Sequence, residues 1–351
     1  MITPAEERAL ERALDLAPGP PGSDPVPAGP NPRVGCVILS ADGEVLAEGW
    51  HRGAGTAHAE VDALSRLGGP APGGTAVVTL EPCAHRGRTG PCTEALLAAG
   101  IRRVVIARRD PNPLAAGGLE RLRSAGIEVE LVPAGPPHDR ALELLRGWEH
   151  GLIHSRPLVT GKLALTLDGR IAAADGTSRW ITGEAARAEV HELRERCDAV
   201  LVGTGTARAD RPRLTTRTAD GAPIRRQPLR AVMGRTARVE LLAPDPAAGP
   251  ALALPTRDPA AALAELFARG VRQVLVEGGA ILAAAFLGEG LVDELIVHLA
   301  PTFLGAGTPA VADLGITTLA DRLDLELVEA RPLTSADGRT DLRLLLRPRA
   351  A

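Results

Sequence analysis

The sequence predicts an α/β fold arranged in two domains. The chain has 351 residues, more than a typical single domain contains. In both halves, short apolar segments typical of buried strands alternate with segments of helical periodicity, which indicates largely parallel sheets covered by helices. The pattern changes at 153–157, so we predict one domain at 1–148 and a second at 155–351.

The first half is predicted to contain a hairpin followed by alternating strands and helices. Residues 18–32 are rich in Pro and Gly, which is typical of a loop. The predicted elements are, in order, helix 4–16, strands 34–39 and 45–49, helix 58–67, strand 76–80, helix 91–99, strand 103–107, helix 117–125, strand 127–132 and helix 138–148. Ligands collect at the carboxyl ends of strands in such sheets, and Cys83 follows strand 76–80 there.

The second half repeats the alternation and adds strands at its end. Its predicted elements are strand 157–166, helix 184–196, strands 199–202, 229–233 and 272–276, helix 280–288, and strands near 293–299, 323–330 and 341–347. A turn at 168–169 follows the first strand, and 218–260 is loop-rich around one strand. Gly278 and Gly279 join a strand to a helix, where backbone amides could approach a pyrophosphate at the helix N-terminus. Taken alone, a Gly-Gly pair more often indicates only a tight turn between a strand and a helix.

Four residues of the first half have the types and spacing of a hydrolytic zinc site. Catalytic zinc uses three protein ligands, which His58, Cys83 and Cys92 would supply. Glu60 lies two residues after the histidine, where it could exchange a proton with an attacking water. The sequence H-x-E followed by two cysteines, each preceded by proline, is the signature of zinc deaminases. Proline favours helix starts, and helix N-termini stabilise the thiolates that zinc binds.

Each of these residues alone has a simpler interpretation. A buried cysteine is usually a small apolar residue, and a single histidine on a helix is more often solvated or hydrogen-bonded than bound to metal. The combination of all four residues is what predicts the zinc site.

The composition excludes several classes of protein. The formal net charge is −3 and tyrosine is absent, so the chain lacks the basic, aromatic surface of a nucleic-acid-binding protein. No apolar run approaches the ~20 residues of a membrane helix, and the acidic N-terminus does not resemble a signal peptide. Four cysteines are too few for a disulfide framework in a chain of this length. We therefore expect a cytoplasmic protein without nucleic-acid or membrane partners.

Lysine occurs once in the chain, at Lys162, among forty Lys and Arg residues. A general preference for arginine would leave a lysine only where an ammonium, whose pKa can be tuned, is required. Chance retention explains the observation equally well, and composition alone does not decide between the two.

The motifs of the chain resemble those of the bifunctional riboflavin-biosynthesis deaminase/reductase family. In the first half the resemblance rests on segments 30–37, 58–61, 79–92 and 110–113, and in the second half on 162–172, 178–182, 205–212, 276–279 and 291–295. Eight residues separate Cys83 from Cys92, as in this family, whereas cytidine, nucleoside and tRNA-type deaminases have two. The resemblance implies a cytidine-deaminase-like α/β/α domain followed by a dihydrofolate-reductase-like α/β domain.

For the first domain, the resemblance implies zinc-dependent deamination of a phosphoribosylated diaminopyrimidine. Glu60 would be the proton shuttle of this reaction. The residues expected to contact the substrate are Asn31, His51, His85, Asp110 and Asn112. Arg86 and Arg88, between the two cysteines, could add positive charge for the phosphate.

For the second domain, the resemblance implies that NADPH delivers a hydride to the ribosyl group and produces a ribitylamine. The residues expected to contact the substrate are Ser178, Arg194, Leu214, Arg217 and Glu277, with both arginines placed for the phosphate. Those expected to contact the dinucleotide are Ala164, Trp180, Thr206, Asp210 and the backbone of Gly279, Ala280, Ile281, Leu282, Ala283, Ala284 and Ala285. Lys162, expected at the end of its strand near Asp168 and Glu277, would be the catalytic cation.

Some positions depart from the family pattern. The loop before Asn31 is longer and more Pro-rich than usual, with Gly29 where Ser or Thr is common. Segment 114–118 is one residue short, and Leu145 replaces an Asn. In the second half Gly234 and Arg235 replace an Asp-Ser-like pair, and Arg235 could contact the 2′-phosphate of NADP.

Two other functions remain open on the sequence. A deaminase of a free nucleobase or nucleoside would explain 1–146 but leaves the second half without a role. A binding protein with a structural zinc ion would need a fourth ligand, for which His85 is the local candidate. We also expect the protein to form a homo-oligomer.

Overall fold

The computed structural model describes residues 1–20, 23, 26, 29–85, 90–218, 221–224 and 226–349. The chain divides into two compact units, Met1–His154 and Ser155–Ala351. The last helix of the first unit, Pro136–His154, runs six residues past the predicted domain end at 148 because Gly151 continues its buried face. Arg86 and Arg88 lie outside the described residues.

The first unit is built around one mixed sheet. Its elements are, in chain order, α1 (Pro4–Leu16), β1 (Gly35–Leu39), β2 (Val45–Trp50), α2 (Ala59–Leu67), β3 (Thr75–Val78), α3 (Cys92–Ala98), β4 (Arg103–Ile106), α4 (Gly118–Ser124), β5 (Glu128–Leu131) and α5 (Pro136–His154). The strand order is β2-β1-β3-β4-β5. β1 is antiparallel to β2 and β3, whereas β3, β4 and β5 are parallel. The predicted hairpin followed by a parallel portion is therefore present.

Helices cover both faces of this sheet because its strands are apolar on both sides. Cys36 and Ile38 point into one core with residues of α2, α3 and α4. Val37 and Leu39, on the opposite face of the same strand, pack with residues of α1. The metal-site residues predicted at 58 and 92 lie on the first of these faces.

Local signals explain where the helices begin and end. The Thr3 hydroxyl accepts a hydrogen bond from Glu6 N, and the Glu6 carboxylate accepts one from Thr3 N, which forms a capping box before α1. α2 ends at Gly68, whose positive φ of 73° is the left-handed conformation that glycine adopts readily. β3 is shorter than predicted and ends at Val78, because the hydroxyl of Thr79 accepts the hydrogen bond from Gly35 N.

The second unit is built around a larger sheet. Its elements are, in chain order, β6 (Leu158–Thr166), β7 (Arg170–Ala172), α6 (Glu184–Arg196), β8 (Ala199–Gly203), α7 (Thr204–Asp210), β9 (Leu229–Met233), β10 (Ala251–Leu254), α8 (Pro259–Ala268), β11 (Gln273–Val276), α9 (Ala280–Gly288), β12 (Glu294–Ala300), β13 (Thr308–Pro309), β14 (Leu325–Thr334) and β15 (Thr340–Pro348). Short 3₁₀ turns occur at Val239–Leu241 and Leu319–Asp321.

The order in the large sheet is β10-β9-β8-β11-β6-β12-β15-β14. Strands from β10 to β12 are parallel, and β15 and β14 are added antiparallel at one end. α8 and α9 pack on one face, and α6 and α7 on the other. β7 and β13 form a separate two-stranded sheet.

Besides the short strands β7 and β13, three elements of the second unit differ from the prediction. Residues 204–210 form helix α7 rather than an extended turn, and Ala207 buries its methyl group against the sheet. The segment predicted as loop-rich contains β10 and the start of α8. Asp258 caps α8 through a hydrogen bond from Ala261 N. These elements were missed because their alanine-rich stretches carry little periodicity.

Candidate active sites

The three predicted zinc ligands converge in the first unit. Ligand atoms of His58, Cys83 and Cys92 all lie within 4.8 Å of one another. The Nδ1 atom of His58 lies 3.2 Å from the Cys92 sulfur and 3.5 Å from the Cys83 sulfur. One nitrogen and two sulfurs are a donor set that suits zinc, so the residues present fit the ion.

Each ligand comes from a different local structure. His58 is the N-cap residue of α2, and Cys92 is the first residue of α3, directly after Pro91. The prediction that proline places a cysteine at a helix start is therefore correct for Cys92. It is wrong for Cys83, which lies in the loop after β3 and owes its position to the carboxyl edge of the sheet.

Hydrogen bonds prepare one thiol to be a thiolate. The Cys92 thiol, followed by His58 and the Cys92 amide, lowers the pKa of Cys83 to about 4, although burial opposes the shift. The same contact with Cys83 raises the pKa of Cys92, together with burial. Cys83 is thus the first of the two cysteines to be ionised.

Glu60 lies at the second position of α2, beside the ligand cluster, with 3% of its surface exposed. Burial raises the pKa of this carboxyl, and its own backbone amide and His58 oppose the shift only in part. A raised pKa makes the carboxylate a stronger base toward a water proton, which suits it to proton transfer. The predicted proton shuttle therefore has the electrostatic environment that this role needs.

A cavity of about 300 Å³ opens onto the metal cluster. All five residues predicted to bind substrate contribute to its lining, which includes Asn31, His51, His85, Asp110 and Asn112. Trp148 and Leu152 from α5 also line it, and so does Glu81, a carboxylate that the sequence analysis did not select.

The side chains of Asn31 and His51 orient each other. His51 Nδ1 lies 2.9 Å from the carbonyl oxygen of Ala57, so this nitrogen carries the hydrogen. Its Nε2 therefore accepts a hydrogen bond from the Asn31 amide nitrogen at 3.0 Å. Burial lowers the pKa of His51, which keeps the ring neutral. The Asn31 amide oxygen is thereby left to accept hydrogen bonds from a ligand.

Asp110 and Asn112 are held by a pair of turns. Asp110 Oδ1 accepts a hydrogen bond from Asn112 N at 2.8 Å, and Asn112 Oδ1 accepts one from Leu114 N at 3.1 Å. Burial, followed by the charges of Glu81 and Cys83, raises the pKa of Asp110 to about 6. This carboxyl consequently changes charge close to neutral pH.

His85 does not complete a closed metal site. Among the described residues, the group of mutually close metal-binding atoms contains His58, Cys83 and Cys92 but not His85, whose side chain is exposed. A structural zinc site would need a fourth protein ligand. The arrangement of three ligands beside a cavity is that of a catalytic site.

The second unit contains a larger cavity of about 700 Å³. Its lining includes all the residues predicted to bind the second substrate and the four side chains predicted for the dinucleotide, but none of the residues 279–285. These are Ser178, Arg194, Leu214, Arg217 and Glu277, and Ala164, Trp180, Thr206 and Asp210, with Lys162 among them.

The register of the sheet brings Lys162 beside Glu277. Gly161 of β6 pairs with Val276 of β11, so the residues that follow each of them are neighbours. Lys162 was predicted at the end of its strand, but it lies in the middle of β6. Asp168 does not converge with it, because that carboxylate accepts hydrogen bonds from the Leu304 and Gly305 amides beyond the end of the strand.

Arg194, which was predicted to contact the phosphate of the substrate, lines the cavity and is also engaged in an ion pair. Its guanidinium donates two hydrogen bonds to Glu277, at 2.6 and 2.9 Å, and a third to the carbonyl of Thr215. Burial lowers the pKa of Lys162, and Glu277 and Arg194 act on it in opposite directions. The cavity thus contains two cations around one carboxylate.

Other predicted residues lie at the rim or in the wall. Arg217 donates a hydrogen bond to Asp245 at 2.8 Å, which leaves only part of its guanidinium for a phosphate. Leu214 is buried with a φ of 54°, a conformation that costs a residue with a side chain about 1–3 kcal/mol. Trp180 is 65% exposed, and the Arg187 guanidinium lies 4.7 Å from its ring centre.

The helix predicted to bind the pyrophosphate is present but offers fewer amides than expected. The N–H groups of Leu282 and Ala283 donate to the carbonyl of Gly279, and those of Ala284 and Ala285 lie deeper within α9. Gly279 N donates to the Thr206 hydroxyl at 3.0 Å. The first N–H groups of the helix, on Ala280 and Ile281, are therefore the ones that could bind a dinucleotide.

Sequence reasoning also missed residues on α6. Arg187, Val190 and His191 line the large cavity together with Arg194. They lie seven, four and three residues before it, which places all four on one helical face. That spacing from Arg194 was a signal in the sequence that would have found them.

Comparison with known proteins identifies the family. The model described as cytidine and deoxycytidylate deaminase zinc-binding region matches residues 21–108, and the model of the RibD C-terminal domain matches 157–336. The riboflavin biosynthesis protein RibD of Corynebacterium ammoniagenes is 46% identical over 316 residues, which cover 89% of this chain and 90% of the relative. The chain belongs to the RibD family. RibD of Escherichia coli strain K12 is 39% identical and covers 86% of this chain and 90% of its own.

Solved structures of RibD relatives support the same assignment. A Thermotoga maritima protein, described as a diaminohydroxyphosphoribosylaminopyrimidine deaminase/5-amino-6-(5-phosphoribosylamino)uracil reductase, is 32% identical with a TM-score of 0.79. It covers 98% of this chain and 99% of its own. Acinetobacter baumannii RibD, form 1, is 38% identical with a TM-score of 0.74, covering 99% of both chains.

The predicted fold class and the predicted enzyme are thereby confirmed. The protein is a bifunctional riboflavin biosynthesis enzyme in which a deaminase zinc-binding region precedes a reductase domain. The alternatives of a stand-alone nucleobase deaminase and of a zinc-stabilised binding protein are wrong. Among the described residues, no helix has the length and apolar character needed to cross a bilayer.

Proposed function

We propose that the first unit deaminates diaminohydroxyphosphoribosylaminopyrimidine and that the second reduces the ribosyl group of the product with NADPH. The observation that carries the proposal is the cluster of His58, Cys83 and Cys92 beside a buried Glu60, at a cavity lined by amide, imidazole and carboxyl groups. The name of the Thermotoga maritima relative, which specifies this substrate, supports it.

In the deaminase, the chain's own residues supply proton transfer and orientation. When bound to the three ligands, zinc supplies a Lewis acid that lowers the pKa of the attacking water. Glu60 accepts a proton from that water and returns it to the leaving amine, for which its raised pKa is suited. Asn31 and Asp110 hold the substrate through hydrogen bonds within the cavity of about 300 Å³.

Replacing Glu60 with glutamine tests the deaminase mechanism. Ammonia release from the diaminopyrimidine substrate should fall about 10²–10⁴-fold, the usual contribution of general acid–base catalysis. Bound zinc, measured by elemental analysis, and NADPH oxidation with the deaminated substrate should remain unchanged. Glu94→Gln is the matched control, because Glu94 lies on α3 near Cys92 with its side chain 52% exposed. Full ammonia release by Glu60→Gln would contradict the mechanism.

In the reductase, we propose that Lys162 is the catalytic cation. NADPH, when bound, supplies the hydride for the ribosyl carbon. Lys162 stabilises the charge that develops on the heteroatom of that carbon and can donate a proton to it. Glu277 favours the charged form of this ammonium, and the Arg194 pair fixes the carboxylate in place. Thr206 and the N-terminus of α9 provide donors and acceptors suited to the dinucleotide.

The Lys162→Arg variant tests this assignment. Arginine keeps the charge but has a larger, planar group whose pKa cannot be tuned. NADPH oxidation should be lost while ammonia release by the first unit continues at the wild-type rate, which makes the deaminase an internal control. Full NADPH-dependent turnover by this variant would refute the role.

We also propose that the enzyme is a cytoplasmic homo-oligomer. β14 ends the large sheet, and its free edge carries Leu327 and Val328 at 55% and 44% exposure. A second copy of this chain would cover that edge. All four cysteines are free, which fits a reducing compartment. Sedimentation analysis should show an oligomer that Leu327→Asp weakens, whereas a monomeric wild-type protein would contradict the assembly.

A further inference from the structure

Glu81 forms a buried link between two segments of the deaminase cavity. Its carboxylate is 6% exposed and accepts three backbone hydrogen bonds. Oε2 accepts from Asp110 N at 3.2 Å, and Oε1 accepts from Gly117 N at 3.2 Å and Leu119 N at 2.9 Å. The backbone N–H of Glu81 donates to the carbonyl of Arg108 at 2.9 Å. One residue thus binds both ends of the connection between β4 and α4.

This link joins the metal ligands to the substrate side of the cavity. Glu81 lies two residues before Cys83, and Asp110 and Asn112 lie within the connection that it binds. The two segments also meet closely at Gly118, where a Cβ atom would lie 1.7 Å from the carbonyl oxygen of Pro82. The hydrogen bonds of Asp110 and Asn112 to their own turn shape the connection but do not attach it to the segment of Cys83.

We infer that Glu81 is a positioning residue of the deaminase, which sets Asp110 and Asn112 at the correct distance from the metal cluster. The inference rests on the proposed function, since it assigns Asp110 and Asn112 to the substrate. Glu81 acts through these two residues and through the backbone. Its two oxygens accept hydrogen bonds from backbone N–H groups, which is a positioning role rather than a proton-transfer role.

The chemistry of the link defines two informative substitutions. Glutamine keeps the shape of the side chain but replaces one oxygen with an NH₂ group, which cannot accept a hydrogen bond from an N–H. One end of the connection between β4 and α4 is therefore released. Aspartate keeps the charge but is one methylene shorter, so its carboxylate cannot reach both ends of this connection. Both changes move Asp110 and Asn112 relative to the metal cluster and leave Glu60 and the ligands in place. They should therefore weaken substrate binding more than the chemical step.

The experiment compares Glu81→Gln and Glu81→Asp with the wild-type chain and with Glu6→Gln. Glu6 is a matched control in the same unit, because its carboxylate is 4% exposed and accepts from Thr3 N and Arg103. Ammonia release at varied substrate concentration gives KM and kcat, and elemental analysis gives bound zinc. In Glu81→Gln, KM should rise about tenfold while kcat changes less than about threefold, and zinc should be retained. Glu6→Gln should lower thermal stability without changing KM.

Several results would overturn the inference. An unchanged KM in Glu81→Gln would overturn it. A rise in KM for Glu6→Gln as large as that for Glu81→Gln would also overturn it, because KM would then follow the general stability of the unit. If Glu81→Gln does not fold, a folded Glu81→Asp with raised KM supports the role and one with wild-type KM contradicts it. A wild-type chain that releases no ammonia refutes the proposed function, and this inference with it. An active wild-type chain with insensitive Glu81 variants refutes the inference alone.

Discussion

Replacing Glu277 with glutamine should destabilise the second unit by about 3–5 kcal/mol, the usual cost of removing one partner from a buried ion pair. The side chains of Arg194 and Glu277 are 15% and 12% exposed, so solvent screens their interaction little. The two hydrogen bonds between them, at 2.6 and 2.9 Å, form a bidentate pair. Lys162 lies beside them, so the substitution leaves two cations close together without a counter-charge.

The expected shift in melting temperature is large. For a domain of this size each kcal/mol corresponds to about 2–4 °C, so Glu277→Gln should lower the Tm of the second unit by about 6–20 °C. Differential scanning calorimetry follows the melting of the two units, and only the transition of the second unit should move to a lower temperature. Glu289→Gln, at an exposed position after α9, is the control and should stay within about 0.5 kcal/mol of wild type.

The difference in stability between wild type and Glu277→Gln should also depend on pH. Burial raises the pKa of Glu277, but Arg194 and then Lys162 outweigh it, so the net pKa lies below the usual value. A carboxyl with a lowered pKa contributes its stability above the unfolded-state pKa of about 4.3 and loses it as the pH falls through the folded-state pKa. The gap between wild type and Glu277→Gln should be complete at pH 7 and should shrink below about pH 4. A loss under about 1 kcal/mol at pH 7 would refute the reasoning.

Three further predictions concern the first unit. The pKa of Asp110 is about 6, so KM for deamination should fall as the pH rises through 6. Asp110→Asn should remove that inflection from the pH profile of KM. The profile of this variant also corrects for the substrate phosphate, which ionises in the same range. Gly118→Ala should cost about 1–3 kcal/mol in chemical denaturation, because its methyl group would meet the Pro82 carbonyl, whereas Gly69→Ala has open space and should be neutral. Cys92→Ser should lose bound zinc and ammonia release but keep NADPH oxidation, and zinc retained at the wild-type level would contradict its role as a ligand.

The metal cluster and most of the elements could be predicted from the sequence because their signals are local. His58 and Glu60 are two residues apart, and Cys92 follows Pro91 at a helix start, so short motifs contain the chemistry. Apart from β10, the strands of the two large sheets were found, because buried parallel strands are continuous apolar runs. The roles predicted for the substrate and dinucleotide contacts stay predictions, although the side chains line the two cavities.

Features that depend on distant contacts could not be predicted. Glu81 binds backbone groups about thirty residues away, and backbone N–H groups leave no trace in residue types. The pairing of Arg194 with Glu277, 83 residues later, could not be predicted because it is set by the fold. Asp168 was expected near Lys162, but β6 continues in extended conformation to Thr166 and separates the two side chains.

The single lysine gives this enzyme an intrinsic chemical label. Lys162 carries the only side-chain amine of the chain, and it lies in the wall of the reductase cavity. Burial lowers its pKa, which increases the fraction of the neutral amine that acylating reagents attack. One modified side chain, located by mass spectrometry, would therefore report whether the cavity is open, and ligands that fill the cavity should protect it.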